Sequence, residues 1–264
     1  MTNQLSCFLC IIVVLLAVPR LARSGHGHKS GEASATIQAG QKEPVARGGG
    51  MIQGRVIFDG KAPPRQKLIV VKDRDICGRT DHYDQRLIVG KQGGIQNAVV
   101  SLTKVRGGKP LSAIGTEPVL DQKGCSYSPH VLLLPVNHDV KILNNDGLLH
   151  NIHTFSTKNR PLNIAQTKFQ KELKMKFAVP ERISVKCDVH GWMSAWFVVV
   201  DHPYHFITNE EGSFVLKNIP AGTYTVSCWQ ELLGEQTAQA TVEAGSAVTM
   251  DFRYSAEKKV SGSN

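Results

Sequence analysis

The sequence predicts an all-β protein built from short strands arranged as a sandwich or barrel. Three stretches alternate apolar and polar residues with period two, the pattern of strands with one buried face. They are DVKILNN (139–145), KELKMKFAV (171–179) and RISVKC (182–187). No stretch carries the long stripe of an amphipathic helix. Short strands at this spacing, separated by turn residues, favour an antiparallel sandwich or barrel.

The first residues have the features of a secretory signal. An apolar run covers Cys7–Val18, and Ala22-Arg23-Ser24 offers small residues for cleavage after Ser24. Residues 1–24 are therefore predicted to be a signal peptide, with an uncleaved anchor as the alternative. The run is too short to cross a bilayer as a helix, which excludes a polytopic membrane protein. A periplasmic or secreted location follows, with no transmembrane span after the signal is removed.

The two ends of the mature chain are predicted to be unstructured. Residues 25–50 are rich in Gly, Ser, Ala and charge and predict a flexible linker, in which His26 and His28 could bind a metal loosely or simply be solvated. Residues 255–264 predict a disordered tail. The net charge of +9 would fall to +7 with the signal, which removes two arginines and no acids. This surplus favours acidic partners, but no charge block is large enough to indicate a nucleic-acid groove.

The remaining residues divide into two predicted β domains. Residues 51–200 supply the candidate strands GRVIFDG (54–60), KLIVVK (67–72), NAVVSLTKV (97–105), HVLLLPV (130–136) and the three alternating stretches above. After residue 200, HFITNEEGSFVLKNIPAGTYTVSCW (205–229) and ATVEAGSAVTMDF (240–252) predict a smaller module over residues 201–254. That module is short, so it could borrow a strand from the first domain or take in GRVIFDG.

The segment CDVHGWM (187–193) carries the chemistry. Cys187 ends an alternating strand on its inward face, and His190 and Met193 follow at intervals of three. Upstream, HNIH (150–153) supplies further imidazoles at another strand end. A thiolate, two imidazoles and a weak thioether form the trigonal site with a long axial methionine that suits a copper electron-transfer centre.

The paired motifs HNIH and CDVHGWM resemble the copper-binding elements of the cupredoxins, the plastocyanin and amicyanin group. The spacing C-x-x-H-x-x-M is most similar to the ligand loop of amicyanin. This resemblance implies a Greek-key cupredoxin-like sandwich holding one type 1 copper, with the ligands His150, Cys187, His190 and Met193. It implies that Asn151 braces the Cys187 loop. The edge of His190, rimmed by Gly191 and Trp192, would then be the electron port. One departure is that Pro180-Glu181-Arg182-Ile183 stands where cupredoxins often have Gly-x-Tyr.

Several alternatives stay open at this metal site. His153 is the alternative first ligand, because residues three apart in a strand face opposite ways and pattern alone does not choose between His150 and His153. Met193 could be a core residue, and Cys187 could instead form a disulfide. Zinc is a less suitable ion, since structural zinc usually has four strong ligands.

Four cysteines remain after the signal, and they allow three pairings. Cys77 and Cys125 lie in turn-rich segments and are the candidate disulfide, in keeping with an oxidising compartment. Cys228 lies on the inward face of an alternating strand and is predicted to be a buried thiol.

The C-terminal motifs TNEEGSF (208–214) and NIPAGTYTV (218–226) resemble the carboxypeptidase regulatory-like module, a transthyretin-like or prealbumin-like β-sandwich. The same fold group includes carbohydrate-binding-like modules, so the resemblance implies a possible glycan contact. Glu231 and Glu235 are the sole candidates for catalysis there, and a solvated edge is the preferred interpretation. His130 is expected at the polar surface, or as a support for the metal site.

Taken together, these features predict an exported mononuclear copper protein that carries single electrons between redox partners and is not an enzyme. The alternative is a secreted carbohydrate- or cell-surface-binding β-sandwich protein in which copper is structural or absent. Copper oxidase activity is disfavoured because no His-Cys-His string and no His-x-His pair occur in the predicted folded region. Nitrite reduction would need a second copper, for which the sequence shows no ligands.

Overall fold

A computed structural model describes residues 48–105, 107–115 and 117–256. The predicted signal peptide (1–24), most of the predicted linker (25–50) and most of the predicted tail (255–264) lie outside the described residues. The described part is almost entirely β, which confirms the predicted all-β class.

The strands are numbered in chain order. The first ten are β1 (Gly50–Asp59), β2 (Ile88–Val89), β3 (Ile95–Gln96), β4 (Val99–Leu102), β5 (Val119–Gln122), β6 (Tyr127–Ser128), β7 (Val131–Pro135), β8 (Val140–Asn144), β9 (His150–Phe155) and β10 (Asn163–Gln166). The others are β11 (Glu172–Met175), β12 (Glu181–Lys186), β13 (Ser194–Val200), β14 (His205–Ile207), β15 (Ser213–Ile219), β16 (Gly222–Gln230), β17 (Gly234–Val242), β18 (Ala247–Thr249) and β19 (Phe252–Ser255). Two short helices accompany them, α1 (Arg74–Cys77) and a 3₁₀ turn (Leu111–Ile114).

Two sheets enclose the first core. One has the order β10-β9-β12-β13-β7 and the other the order β11-β8-β5-β6. The alternating sequence patterns explain the packing: β11 buries Leu173 and Met175, and β12 buries Ile183 and Val185. Cys187 continues the inward face of β12 and is buried in the same cluster. The metal-site motifs therefore lie at one end of a β-sandwich.

A second core lies between the sheets β15-β1-β18, with β19 also on β1, and β14-β4-β16-β17. Here the strand pairing crosses the division predicted at residue 200 and follows the alternative in which the smaller module takes in GRVIFDG and borrows a strand from the first domain. The N-terminal strand β1, which contains GRVIF, pairs antiparallel with β15, and β4 pairs antiparallel with β16. Apolar residues of β1 and β4 are accordingly buried with those of the C-terminal strands. At the other end of the chain, Ser255 is still part of β19 and lies opposite Asp59.

The predicted strand KLIVVK does not form. In the structure its single ladder contact is a bridge between Lys67 and Tyr83. Leu68 and Val70 are half-buried while Ile69 and Val71 are exposed, so the period-two alternation is present without a partner strand. We call residues 61–87, which connect β1 to β2, the covering segment, because Val70 packs on the first core and Asp73 reaches the metal-site motifs.

No helix among the described residues is long and apolar enough to span a membrane.

Candidate metal centre

Three buried donor atoms face one another at the end of the first sandwich. His150 Nδ1 and His190 Nδ1 lie 3.0 Å apart, and each lies 3.9 Å from Cys187 Sγ. All three side chains are buried. Within the described residues, this is the group of His, Cys and acidic side chains whose ligand atoms are close enough together to hold one metal ion.

Strand pairing brings the two motifs together. β9 and β12 are antiparallel, with His153 opposite Lys186. Continuing that register beyond β12 brings the loop after Cys187 alongside His150, the first residue of β9. Alternation along β9 buries His150 and Ile152, and leaves His153 partly exposed.

The loop from Cys187 to Met193 is short and closed by its own backbone. Met193 N–H donates to the His190 carbonyl over 2.9 Å, and Cys187 N–H donates to the Met193 carbonyl over 3.3 Å. This turn directs His190 back towards the sulfur three residues earlier. Met193 is buried in the same apolar cluster as Cys187.

His153, the alternative ligand, lies outside the cluster. Its Nδ1 bonds the Asp188 carboxylate at 3.0 Å, and its ring stacks on Phe155 at 4.3 Å between centroids. Asn151, between the two histidines, accepts the Asp188 N–H at 2.7 Å and donates to the Asp188 carboxylate at 3.0 Å. This pair of hydrogen bonds ties β9 to the residue that follows Cys187.

Burial and mutual contacts shift the pKa values of all three side chains in the cluster. Burial raises the pKa of the Cys187 thiol, but hydrogen bonds from His150 and from nearby backbone amides outweigh it, so the pKa is lowered. Burial lowers the pKa of His150, yet Asp146 and Cys187 raise it overall to about 9. Burial lowers the pKa of His190, the hydrogen bond to Asp73 opposes this only in part, and the nearby His150 charge lowers the pKa further. The charged form of His150 is thus favoured beside a Cys187 whose ionised form is also favoured.

Two carboxylates complete the centre, and the sequence analysis missed both. Asp146 Oδ2 accepts from His150 Nε2–H at 2.9 Å, and Asp73 Oδ2 accepts from His190 Nε2–H at 2.8 Å. Asp146 lies only four residues before His150, and this closeness in sequence could have marked it as a hydrogen-bond partner of that histidine. Asp73 lies 117 residues before His190, and no local pattern links them.

The predicted electron port at the His190 edge is wrong. His190 is 0% exposed, because Asp73 covers its Nε2 atom and Trp192 packs edge-on against its ring at 5.1 Å. Trp192 is also held in place, since its Nε1–H donates to the Cys125 carbonyl at 3.0 Å. The covering segment occupies the surface where an exposed imidazole edge was expected.

The structure contains a Cys77–Cys125 disulfide beside the cluster. Cys187 and Cys228 are free and buried, and the pKa of Cys228 is raised to about 12 by burial. Cys228 lies in the second core, remote in sequence from the metal-site motifs.

His130 and Glu231 were expected at a polar surface, and both expectations are wrong. The His130 ring is buried and bonds Glu231 through Nε2 and the Ser194 carbonyl through Nδ1. Trp196 Nε1–H donates to the other Glu231 oxygen at 2.7 Å. The turn after β16 is thereby fixed to β13, where Val198 packs with Val99 of β4. These polar groups link the two sandwiches.

No known protein family matches the sequence, and no curated protein is significantly similar to it. Among solved structures, a purple cupredoxin from Nitrosopumilus maritimus is 19% identical, with 32% of this chain and 100% of that chain covered and a TM-score of 0.28. An amicyanin variant in its Cu(I) form is 16% identical, with 38% and 98% covered and a TM-score of 0.30. A copper-containing nitrite reductase from Thermus scotoductus SA-01 is 17% identical with a TM-score of 0.30; the match covers 38% of this chain and 24% of that chain.

The chemistry of the three donor atoms indicates which metal ion would fit the cluster. A buried thiolate with two imidazoles is soft and carries few charges, which suits copper better than hard cations. Both imidazoles already have their outer nitrogens bonded to carboxylates, the arrangement that fixes a histidine for metal ligation. The residues present therefore fit a copper ion.

Proposed function

We propose that this chain is an exported mononuclear copper protein that carries single electrons between redox partners. One observation carries the proposal: three buried donor atoms, two imidazole nitrogens and one sulfur, converge at the end of a rigid sandwich. Copper bound there would supply one-electron chemistry by alternating between Cu(I) and Cu(II). Ligands held on strand ends and one short loop suit such a role, since a stiff site reorganises little.

The proposed roles follow from the contacts. Cys187 would be the thiolate ligand, since its pKa is already lowered in the metal-free centre. His150 and His190 would ligate through Nδ1, because their Nε2 atoms are engaged by Asp146 and Asp73. Met193 would supply a weak thioether ligand, a role supported by its burial beside Cys187 and by the closed loop between them.

Electrons would leave the centre through the covering segment. Asp73 is hydrogen-bonded to His190, and its side chain is 37% exposed, which makes it the nearest solvent-reaching group on that imidazole. Ile69 and Val71 expose apolar side chains a few residues earlier in the same segment. We propose that an acidic redox protein docks here, in keeping with the net positive charge of the chain.

Copper spectroscopy on matched cysteine variants tests the proposal. The chain is expressed as residues 25–264, loaded with Cu(II), and studied by visible absorption and paramagnetic resonance. Wild type is expected to show an intense thiolate-to-copper charge-transfer band that Cys187→Ala abolishes. Cys228→Ala is the matched control, because it removes the other free buried thiol and should keep the band.

Histidine variants test the ligand set in the same way. His150→Ala should lose the band, whereas His153→Ala should retain it because His153 contacts Asp188 outside the cluster. A wild type that binds one copper without colour would refute the electron-carrier proposal. Equal loss in Cys187→Ala and Cys228→Ala would refute the assignment of the thiolate.

A further inference from the structure

Both imidazoles of the cluster are held from behind by a carboxylate. His190 Nε2 lies 2.8 Å from Asp73 Oδ2, and His150 Nε2 lies 2.9 Å from Asp146 Oδ2. An ionised carboxylate can only accept, so each imidazole must carry a proton on Nε2. Each Nδ1 atom is thereby turned towards Cys187.

The two carboxylates are connected to each other through a disulfide. Asp73 directly precedes α1, and the Cys77 N–H at the end of that turn donates to the Asp73 carbonyl at 2.8 Å. Cys77 is bonded to Cys125, whose N–H donates to Asp146 Oδ2 at 2.9 Å. A continuous path of contacts therefore runs from His190 to His150 on the side of the rings away from the sulfur.

The backbone at both ends of this path is in an uncommon conformation. Asp73 has a φ of 48° and Cys125 a φ of 51°, both in the left-handed region, which aspartate visits occasionally and cysteine seldom. Such a conformation persists only where the surroundings fix it, and it concentrates at functional sites. In this conformation the Asp73 carboxylate contacts His190, and the Cys125 N–H contacts Asp146.

We propose that Asp73 and Asp146 are positioning residues for both imidazole ligands, and that the Cys77–Cys125 disulfide holds the two carboxylates at the spacing the centre requires. We call these four residues the disulfide clamp. The consequence for copper rests on the proposed function, whereas the orientation of the imidazoles does not.

The clamp has a defined chemical effect. A carboxylate that accepts the Nε2–H of an imidazole makes Nδ1 a stronger donor, and removing such a partner typically weakens metal binding 10- to 100-fold. The added electron density favours the doubly charged ion over the singly charged one. The clamp should therefore stabilise Cu(II) relative to Cu(I) and lower the reduction potential.

Charge-removing variants test this effect. Asp73→Asn and Asp146→Asn are compared with Asp75→Asn, which removes the same charge from an exposed side chain in α1. Asparagine also tolerates the left-handed backbone at position 73. Dissociation constants are measured by competition with a Cu(II) chelator and, separately, with a Cu(I) chelator.

Each clamp variant is expected to weaken Cu(II) binding about tenfold while Cu(I) binding changes little, which raises the potential by about 59 mV. Asp75→Asn should match wild type. The double variant Cys77→Ser/Cys125→Ser should speed Cu(II) dissociation and raise the potential in the same direction. Cu(II) affinities of both aspartate variants within threefold of wild type, or an equal change in Asp75→Asn, would overturn the proposal.

A measurement without copper separates this proposal from the proposed function. In the metal-free chain labelled with ¹⁵N-histidine, the nitrogen shifts and N–H couplings should place a proton on Nε2 of both His150 and His190. A proton on Nδ1 of His190 with a bare Nε2 would refute the clamp even if copper binds. Conversely, Nε2 protonation in a chain that shows no copper charge-transfer band would leave the clamp intact and reject the electron-carrier role. This measurement needs only wild type, so it decides even where a variant fails to fold.

Discussion

Removing the disulfide should destabilise the metal-free protein. The number of residues between the two cysteines sets the size of this loss. Cys77 and Cys125 are 48 residues apart in sequence. Cross-linking a loop of that size lowers the entropy of the unfolded chain, and the chain-entropy relation gives about 4 kcal/mol at 25 °C. Domains are typically stable by only about 5–15 kcal/mol, so the loss should be large.

The assay is equilibrium urea unfolding of the metal-free Cys77→Ser/Cys125→Ser variant, followed by tryptophan fluorescence. The double variant is used because a single substitution would leave an unpaired thiol. Cys228→Ala is the control, since it removes a buried sulfur without removing a cross-link and should cost about 1 kcal/mol.

A loss below about 1 kcal/mol in the double variant, at an unchanged dependence on urea, would refute the entropic reasoning. It would mean that the unfolded chain already keeps the two segments together, so the cross-link restricts little. A changed dependence on urea would instead report a more expanded unfolded state, as loss of a cross-link predicts.

Three further outcomes are expected. Burial raises the pKa of Glu181, but hydrogen bonds that it accepts from the backbone of residues 157–159 lower the pKa more, to about 2 instead of 4.5. A carboxyl group whose pKa is depressed in the folded state contributes stability above pH 4.5 that is lost as the pH falls towards 2. Glu181→Gln should therefore lower the free energy of unfolding at pH 7 by about 1 kcal/mol and make it fall less steeply between pH 4.5 and 2. An unchanged fall in that pH range would contradict this. Glu231→Ala leaves His130 Nε2 and the Trp196 N–H buried without a partner and should cost about 3 kcal/mol in thermal or urea unfolding. The double variant His130→Ala/Glu231→Ala should cost less than the two single losses combined, and strict additivity would show that the pair does not interact. The chain in its Cu(I) form should reduce anionic hexacyanoferrate(III) faster as ionic strength falls and a cationic cobalt(III) complex more slowly, measured by stopped flow. The same salt dependence for both oxidants would argue against charge-guided docking.

Local patterns predicted the elements of the metal centre better than their surroundings. Period-two alternation is a property of the strand alone, and it correctly placed Leu173, Met175, Ile183 and Val185 in the core. The choice between His150 and His153 could not come from pattern, because either could face inward until the pairing of β9 with β12 fixed the inward face. The structure brings His150 into the cluster and leaves His153 on the surface.

What the sequence could not predict depends on contacts between distant parts of the chain. β1 pairs with β15, more than 150 residues later, and so joins the second core; the sequence left this open as an alternative, because a strand pattern does not show which strand will be its partner. The segment KLIVVK has the pattern of a strand but no neighbouring strand edge, and a strand needs a partner for its backbone groups. Asp73 belongs to the same segment, and its contact with His190 follows from that segment crossing the end of the sandwich.

The disulfide clamp depends on the predicted export. A disulfide persists in an oxidising compartment and is rare where thiols are kept reduced. Without the Cys77–Cys125 bond, Asp73 would reach His190 from a segment that has no strand pairing beyond its bridge at Lys67. If the clamp sets the Cu(II) affinity, the centre acquires full affinity only after the disulfide has formed. Copper loading would then follow export, and a chain kept in a reducing compartment would hold Cu(II) more weakly although every ligand is present.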